Sequence, residues 1–383
     1  MSSQPSLPPY REFGKLIDTP TKAINFLKTN GILNEEVFCD YGSRMIWTWP
    51  PSWKYPKWRC VYSCRCKRSS KAVTTGSYFF NRKANLEAIL WVLHGFVARN
   101  SLYALSIGNQ LDRRTVSQII FDIYQVMNDD ILDEDITLGG PDIIEVQIDE
   151  SKFGKRKNNR GQRVEGVWVF GMVEKKANGR AGKVFMSIVP DRKADTLIPL
   201  IQQYILPGTR VISDCHGPYM RLRNLGFDHI AVNHSIGFAT TNNSIGHTNG
   251  NELFNTNMIE GMWTAVKHAV PRRHRTVSNC PWKLLEFLWR RKHSNHWTSL
   301  LQGLASTEFS TSNNNHYTED IINNLPTRVP GDYSQYEYQE DNQLVEFVDL
   351  PDTYSSDSDS STESESDNHS EFTPPPAQRR RTN

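Results

Sequence analysis

Hydrophobic spacing divides the first 305 residues of the chain into helical and strand-forming parts. Between residues 81 and 130, apolar residues recur every three to four positions, which predicts helices. The last of these helices is expected to begin at Asp112, a good N-cap residue, and to turn Val116 and Ile123 inward. From residue 142 the pattern changes to short runs rich in β-branched and aromatic residues, which predicts strands. Three such runs form a predicted antiparallel meander: DIIEVQID, GVWVFGMVE and GKVFMSIVP.

The segments after the meander alternate between helical and strand patterns. In chain order they are the helix TLIPLIQQYI, the strand PGTRVISD, the helix PYMRLRNLG and the strand HIAVNHS. Strands that alternate with helices favour parallel pairing with crossover connections. Three meandering strands followed by such units predict an α/β domain of the ribonuclease-H-like class, a mixed sheet with flanking helices. The stretches MIEGMWTAVKHAV and CPWKLLEFLWRRKH are predicted to be its closing helices.

The patterns predict one main α/β domain with smaller segments on either side. For the segment before that domain, a helix-turn-helix unit and a plain three-helix packing unit are both consistent with the pattern. The predicted regions are an N-terminal helical segment at 1–35, a small Cys-containing, zinc-ribbon-like segment of strands at 36–80, a helix-turn-helix-like segment at 81–130, the ribonuclease-H-like domain at 142–305, and a disordered acidic, Ser-rich tail at 306–383.

Composition excludes several classes of protein. No apolar run approaches the ~20 residues that a membrane helix needs. The N-terminal residues lack the pattern of a secretory signal, and six cysteines in 383 residues make no disulfide framework. We therefore expect an intracellular protein with reduced thiols and no membrane partner.

The formal net charge of +2 conceals an acidic tail and a basic remainder. Residues 331–372 contain thirteen Asp or Glu and no Lys or Arg, whereas residues 41–86 contain ten Lys or Arg, four Trp and no acid. A cationic stretch with planar side chains favours a nucleic-acid partner, although a solvated basic surface would have the same composition. The side chains predicted to contact DNA here are Arg59, Arg65, Lys67 and Arg68. Arg113, Arg114, Thr115 and Ser117 are predicted on the exposed start of the helix that follows Asp112.

Three acidic residues stand where they can share metal ions. Asp149 is expected at the end of the first strand of the sheet and Asp214 at the end of the fourth, and ligands gather at the carboxyl ends of such strands. Glu260 and Lys267 lie two turns apart on one face of a later helix. Three such carboxylates would hold two Mg²⁺ ions through oxygen atoms. Each aspartate could instead cap a turn, and Glu260 and Lys267 could be an ordinary surface pair.

At this point the sequence resembles a known family. Several separate blocks between about Ile144 and His293 resemble, in the expected order, the transposase domain of Merlin-type DNA transposons and of related bacterial insertion sequences. The blocks are VQIDESKFGKRK, RVEGVWVFGMVE, VPDRKADTLIPLI, ILPGTRVISDCHGPY, HIAVNHS, NTNMIEGMWTAVK and LLEFLWRRK.

The resemblance implies a ribonuclease-H-like DDE transposase. Asp149, Asp214 and Glu260 would be its catalytic acids and would bind Mg²⁺ or Mn²⁺, and Lys267 matches the basic residue that follows the last acid and contacts DNA. The partners implied are double-stranded DNA, both transposon ends and target, and a second copy of the chain. A nuclear location follows by the same analogy.

The cysteines resemble the zinc-ribbon end of the same family only in part. A tetrahedral zinc site needs four ligands, usually in two close pairs. Cys60, Cys64 and Cys66 are close in sequence, but Cys39 lacks a CxxC partner because Gly42 stands where a second Cys would fit. The site could be degraded, recruit another ligand or be absent.

Three functional hypotheses remain from the sequence. The first is a transposase that cuts phosphodiesters at transposon ends and joins the freed 3′-OH to target DNA by two-metal chemistry. The second is a domesticated, transposase-derived DNA-binding protein that no longer cuts, favoured by the incomplete Cys set and the acidic tail. The third is a nuclease with the same metal site and no strand transfer.

Overall fold

The N-terminal residues fold into two short helices and a small ribbon of strands. The computed structural model describes residues 7–61, 65–66, 69–154, 166–232, 240–241, 253–307, 309 and 329. Its first elements are α1 (Tyr10–Ile17), α2 (Pro20–Thr29), β1 (Ile46–Thr48), β2 (Lys57–Arg59) and β3 (Ser70–Ala72). The three strands pair antiparallel in the order β1-β2-β3, as the ribbon prediction requires.

A helical segment follows the ribbon and matches the helical spacing of the sequence. Its helices are α3 (Leu86–Val97), α4 (Leu102–Asn109), α5 (Arg113–Asp130) and the short α6 (Asp133–Ile136). The predicted N-cap of α5 is confirmed, because the Asp112 carboxylate accepts a hydrogen bond from the Arg114 backbone N–H at 2.8 Å. This bond satisfies one of the amide groups that the start of a helix leaves without a partner.

The second half of the chain contains the predicted mixed sheet. Its elements are β4 (Ile143–Phe153), β5 (Val167–Lys176), β6 (Ala181–Val189), α7 (Ala194–Tyr204), β7 (Arg210–Asp214), a 3₁₀ helix (Gly217–Leu225) and β8 (Asp228–Val232). Within the described residues the sheet has five strands in the order β6-β5-β4-β7-β8. Strands β4, β5 and β6 form the antiparallel meander, and β4, β7 and β8 are parallel, so the ribonuclease-H-like prediction is confirmed.

Further helices close the sheet and extend beyond it. The remaining elements are the two-residue strands β9 (Thr240–Thr241) and β10 (Leu253–Phe254), α8 (Asn257–Ala269), a 3₁₀ turn (Arg272–His274), α9 (Cys280–Lys292) and α10 (His296–Ser306). Helices α8 and α9 were expected from the sequence, whereas α10 was not. None of the described helices is both long and apolar enough to cross a membrane.

The expected end of β4, the strand that carries Asp149, was wrong. Asp149 does not end β4, which continues to Phe153 because β5 stays paired with it over that length. The pairing of β4 with β7 covers only Val146 and Gln147, and β7 ends at Asp214 as expected. The two parallel strands therefore separate just before Asp149, which opens the sheet at the carboxyl end of β7.

One hydrophobic core joins the helical segment to the sheet. Buried residues of α1 to α5, of β4 to β6 and of α7 to α10 belong to the same cluster. Helix α10 packs against α3 and α5, where a side chain added at Gly303 would lie 2.8 Å from Val126. Its Trp297 ring also meets Phe13 of α1 edge to face at 5.2 Å. The sheet and the helices before it thus support one another.

Candidate functional site

Asp149 faces α8 and is held there by an indole. The Trp263 Nε1–H donates a 2.8 Å hydrogen bond to Asp149 Oδ2. Gly171 is the cross-strand partner of Asp149 in β5, and its lack of a side chain leaves the room in which the indole lies. Burial raises the pKa of Asp149 to about 7, and the negative charges of Glu150 and Asp214 add to the effect.

Gly171→Ala is expected to lower, by about a hundredfold, the metal-dependent DNA cleavage that the sequence resemblance implies. A Cβ atom at position 171 would lie 2.7 Å from the ring of Trp263, so the indole, and α8 with it, must shift away from Asp149. Misplacement of about 1 Å can cost that much in rate. Gly261→Ala on the same helix meets no atom within 4 Å and is the matched control. Equal activity of the two variants in one assay would contradict the positioning role of Trp263.

Asp214 lies at the end of β7, beside the opening between β4 and β7. Its Oδ1 accepts a hydrogen bond from the backbone N–H of His216 at 3.0 Å, which fixes the turn after the strand. Its charge raises the pKa of both Asp149 and Glu150, which places the three carboxyl groups within electrostatic reach of one another. The structure therefore brings together the two aspartates that the sequence analysis singled out.

The start of α8 is fastened to the strand that carries Asp149. The buried side chain of Gln147, two residues before Asp149, accepts hydrogen bonds at Oε1 from the backbone N–H groups of Met258 and Ile259 at 3.0 and 3.1 Å. Its amide nitrogen donates to the Asn255 carbonyl at 2.8 Å and to Glu145 at 2.9 Å. The Gln147 side chain thus satisfies backbone N–H groups at the start of α8, as an N-cap residue would, and it fixes the position of α8 along β4.

Glu260 lies in the first turn of α8, one turn before Trp263. Its side chain is exposed, and Oε1 accepts a 3.0 Å hydrogen bond from the Thr256 hydroxyl. Lys267 is exposed two turns further along. At the far end of the helix, Arg275 donates to the carbonyls of Lys267 and Val270 at 2.7 and 2.9 Å. Glu260 and Lys267 are therefore carried by a helix that is anchored at both ends.

The sequence analysis missed a fourth carboxylate, Glu150. This buried side chain points to the opposite face of β4 from Asp149 and accepts a short hydrogen bond from the Tyr219 hydroxyl in the 3₁₀ helix after Asp214. Burial raises the pKa of Glu150 to about 7, the Tyr219 hydrogen bond opposes the shift, and Asp214 adds to it. The acidic doublet in VQIDES was the available signal in the sequence.

The oxygen atoms at the opening suit a hard divalent cation. Asp149 and Asp214 offer carboxylate oxygens on the two strands, and their mutual repulsion with Glu150 is the kind that a bound cation relieves. Glu260 is supplied by the anchored helix. Carboxylate oxygens are the ligands that Mg²⁺ and Mn²⁺ prefer, but among the described residues Glu260 does not join the two aspartates in a group of acids close enough together to hold a metal ion.

Three cysteines converge in the N-terminal ribbon. The sulfur atoms of Cys39, Cys60 and Cys66 lie within 4.8 Å of one another. Cys39 belongs to the tight turn before β1, whose Gly42 has a φ of +73°, and Cys60 directly follows β2. Three converging thiol groups suit zinc. The fourth predicted ligand, Cys64, lies outside the described residues, as do Lys67, Arg68 and nearly all of the acidic tail.

The ribbon also presents aromatic rings with cations beside them. Lys57 and Arg59 are exposed on β2, and both lie 5.0 Å from the centre of the half-buried Trp53 ring. Trp58 behaves differently, because it is buried and packs edge to face on Trp47 at 5.1 Å. The expectation of stackable rings therefore fails for Trp58, which the ribbon needs for its own core.

The first turn of α5 carries the exposed basic residues of this helix. Arg113 and Arg114 are exposed, and the Arg113 guanidinium lies 5.1 Å from the centre of the Tyr103 ring. Ser117 was expected on this exposed surface but is buried, and the buried residues of α5 continue to Asn128. The helix packs against α3, α4, α9 and α10. Any entry of α5 into a groove of DNA is thus limited to its N-terminal end.

Comparison with known proteins relates the sheet-containing part of the chain to a transposase domain. Residues 137–291, which run from just before β4 into α9, match the ISXO2-like transposase domain. An uncharacterized transposase-like protein of Haemophilus influenzae is 28% identical in an alignment 109 residues long, which covers 26% of this chain and 80% of that protein. One similarity is thus to a transposase domain and the other to a transposase-like protein. The matched residues include both aspartates of the opening and the helix that carries Glu260.

Proposed function

We propose that the chain is a DDE-type DNA transposase, of the kind found in Merlin-type transposons and related insertion sequences. It would cut phosphodiesters at the ends of a transposon and join the freed 3′-OH to target DNA. The main support for the proposal is that Asp149 and Asp214 lie within electrostatic reach of each other at the opening between β4 and β7. Both residues belong to the segment that is similar to a transposase domain.

In this proposal each element of the site has a defined role. Asp149, Asp214 and Glu260 would hold two Mg²⁺ or Mn²⁺ ions, which when bound stabilise the attacking and leaving oxygens of an in-line displacement at phosphorus. Trp263 orients the Asp149 carboxylate, and Gln147 keeps α8, which carries Glu260, in register with β4. Lys267, on the outer side of α8, would contact a DNA phosphate.

A cleavage and joining assay tests this function. The full-length chain is incubated with duplex DNA that carries the terminal repeats flanking its own coding sequence, together with a plasmid target, in Mg²⁺, Mn²⁺ or EDTA. We expect cuts at the repeat ends and joined products with either metal and none in EDTA. Binding without cleavage in both metals would instead support the domesticated protein, and cleavage without joining would support a nuclease.

We also propose that Cys39, Cys60 and Cys66 hold a structural zinc ion in the ribbon, with Cys64 as the candidate fourth ligand. The purified protein is then expected to contain about one zinc per chain by elemental analysis. Cys60→Ser should remove most of it, because one of three converging thiols is lost. Cys215→Ser, an exposed cysteine outside the ribbon, is the control. Zinc content that is unchanged in Cys60→Ser would contradict the assignment.

Three finer features stay predictions. The cutting and joining of two DNA ends requires that two copies of the site act together, which implies at least a dimer. A nuclear location and a DNA-contacting role for Arg59, Arg65, Arg113 and Arg114 stay predictions in the same way.

A further inference from the structure

Two cations converge on one tryptophan beside the carboxylates. Lys152 Nζ lies 5.3 Å, and the Arg192 guanidinium carbon 4.5 Å, from the centre of the Trp168 ring. Lys152 is the cross-strand partner of Trp168 in β4 and β5, and Arg192 follows the end of β6, whose Val189 also pairs with Trp168. Three neighbouring strands thus bring two positive charges to one ring, and the ring favours both of them.

This group lies on the face of the sheet opposite α8. Side chains alternate along a strand, so Lys152 shares its face with Glu150 rather than with Asp149. His216 also links Arg192 to Asp214. Its ring atom Nε2 lies 3.2 Å from the Arg192 carbonyl oxygen, and its backbone N–H donates a hydrogen bond to the Asp214 carboxylate. The cations therefore flank the carboxylates on the side away from Glu260 and Lys267.

The two cations differ from the next basic residue in the chain. Lys193 forms an ion pair with Asp191 at 3.0 Å. Among the described residues, neither Lys152 nor Arg192 has a carboxylate oxygen within 4.0 Å, and both side chains are exposed. Two like charges that share one indole without an ion-pair partner among these residues repel each other, and an anion between them would remove that repulsion.

We propose that Lys152, Arg192 and Trp168 form a subsite for a backbone phosphate of the DNA strand that enters the opening between β4 and β7. The proposal rests on the proposed function and adds to it the face by which DNA reaches the carboxylates. Lys152 is three residues beyond Asp149 on an extended strand, so the two Cα atoms are about 10 Å apart. At roughly 3.4 Å per nucleotide along one strand, the phosphate lies within about three nucleotides of the bond to be cut. The contact positions DNA without reading its sequence.

Binding in EDTA tests the subsite without any cleavage. The probe is a duplex that carries the terminal repeat flanking the coding sequence, and affinity is measured over a series of salt concentrations. The variant Lys152→Ala/Arg192→Ala is expected to bind about tenfold more weakly at low salt, and its plot of log affinity against log salt should be shallower by about one, because one phosphate contact is lost. Lys193→Ala is the matched control and should leave both quantities unchanged. Lys152→Arg/Arg192→Lys keeps both charges and should bind nearly as wild type does.

A second arm locates the phosphate. Single methylphosphonates, which carry no charge, replace the phosphates nearest the cleavage position one at a time. One of the first three on one side is expected to weaken binding by wild type but not by Lys152→Ala/Arg192→Ala.

The outcomes separate this subsite from the function on which it rests. If the wild-type protein cuts the DNA and the double variant equals it in affinity and salt slope, the subsite alone is overturned. If the wild-type protein never cuts the DNA but the double variant shows the expected losses of affinity and salt slope, the cleavage chemistry is overturned and the subsite stands. An equal loss in Lys193→Ala, or wild-type protein that does not bind this DNA, would overturn the subsite as well.

Discussion

Asp149→Asn and Asp214→Asn are each expected to reduce metal-dependent DNA cleavage at least about a thousandfold, which is the scale of loss when a member of a catalytic group is removed. Asparagine keeps the size of the side chain and, at position 149, an oxygen that can accept the Trp263 hydrogen bond. It removes the charge that a divalent cation needs. Glu260→Gln is the equivalent change on α8, because it keeps an acceptor for Thr256. The measurement is the single-turnover rate of cleavage of terminal-repeat DNA in Mg²⁺.

DNA binding and folding provide the controls for these variants. Removal of an acid does not weaken attraction to a polyanion, so affinity in EDTA should be equal to or higher than that of wild type. The folded environment raises the pKa of Asp149, so its ionised form opposes folding at neutral pH, and its loss is not expected to lower the melting temperature in metal-free buffer. Asp142→Ala, an exposed acid just before β4, should cut normally. Full activity in all three acid variants would show that these residues are not the catalytic acids.

Glu286→Gln is expected to lower the free energy of unfolding by about 3 to 5 kcal/mol, the cost of leaving buried charges without a partner. Burial alone would raise the pKa of Glu286, but Lys283 and Arg290 outweigh it and hold the pKa at about 2. The carboxylate accepts hydrogen bonds from Lys283 at 3.0 Å, from Arg290 at 2.8 Å and from the Tyr124 hydroxyl at 3.1 Å. Arg290 in turn donates to the Phe96 carbonyl at 3.0 Å. The group ties α9 to α5 and α3, so denaturant unfolding of the whole chain should report its loss.

A matched exposed pair and the pH dependence check this interpretation. Lys22 and Asp18 are also four residues apart, but they join α2 to the end of α1 and about half of each side chain is exposed, so Asp18→Asn should cost only about 0.5 kcal/mol. Because the folded pKa of Glu286 lies below its ordinary value of 4.5, its contribution is present above about pH 4.5 and is lost as the pH falls towards 2. Wild type and Glu286→Gln should therefore approach one another in stability over that interval. A cost in Glu286→Gln no larger than in Asp18→Asn would contradict the buried-charge account.

The amino-acid sequence by itself determined the order and type of most elements, because these follow from local patterns. Alternating runs of β-branched residues predicted the meander, Asp112 marked the start of α5, and Asp214 was correctly expected at the end of its strand. The same local patterns gave wrong predictions where a neighbouring element determines the length of a strand or the burial of a residue. Strand β4 runs past Asp149 because β5 continues to pair with it, and Ser117 is buried because α5 has other helices around it.

Only the tertiary structure decided how the site is held and from which side it can be approached. Gln147 caps a helix more than 100 residues later, Trp263 reaches Asp149 across the space left by Gly171, and Glu150 binds the hydroxyl of Tyr219. Lys152 of β4 and Arg192, which follows β6, likewise meet on Trp168 of β5. Periodicity identifies which face of one element is apolar, but it carries no information on which distant side chain that face will meet. Such contacts are set by strand order and register, and both of these arise only when the sheet and α8 pack together.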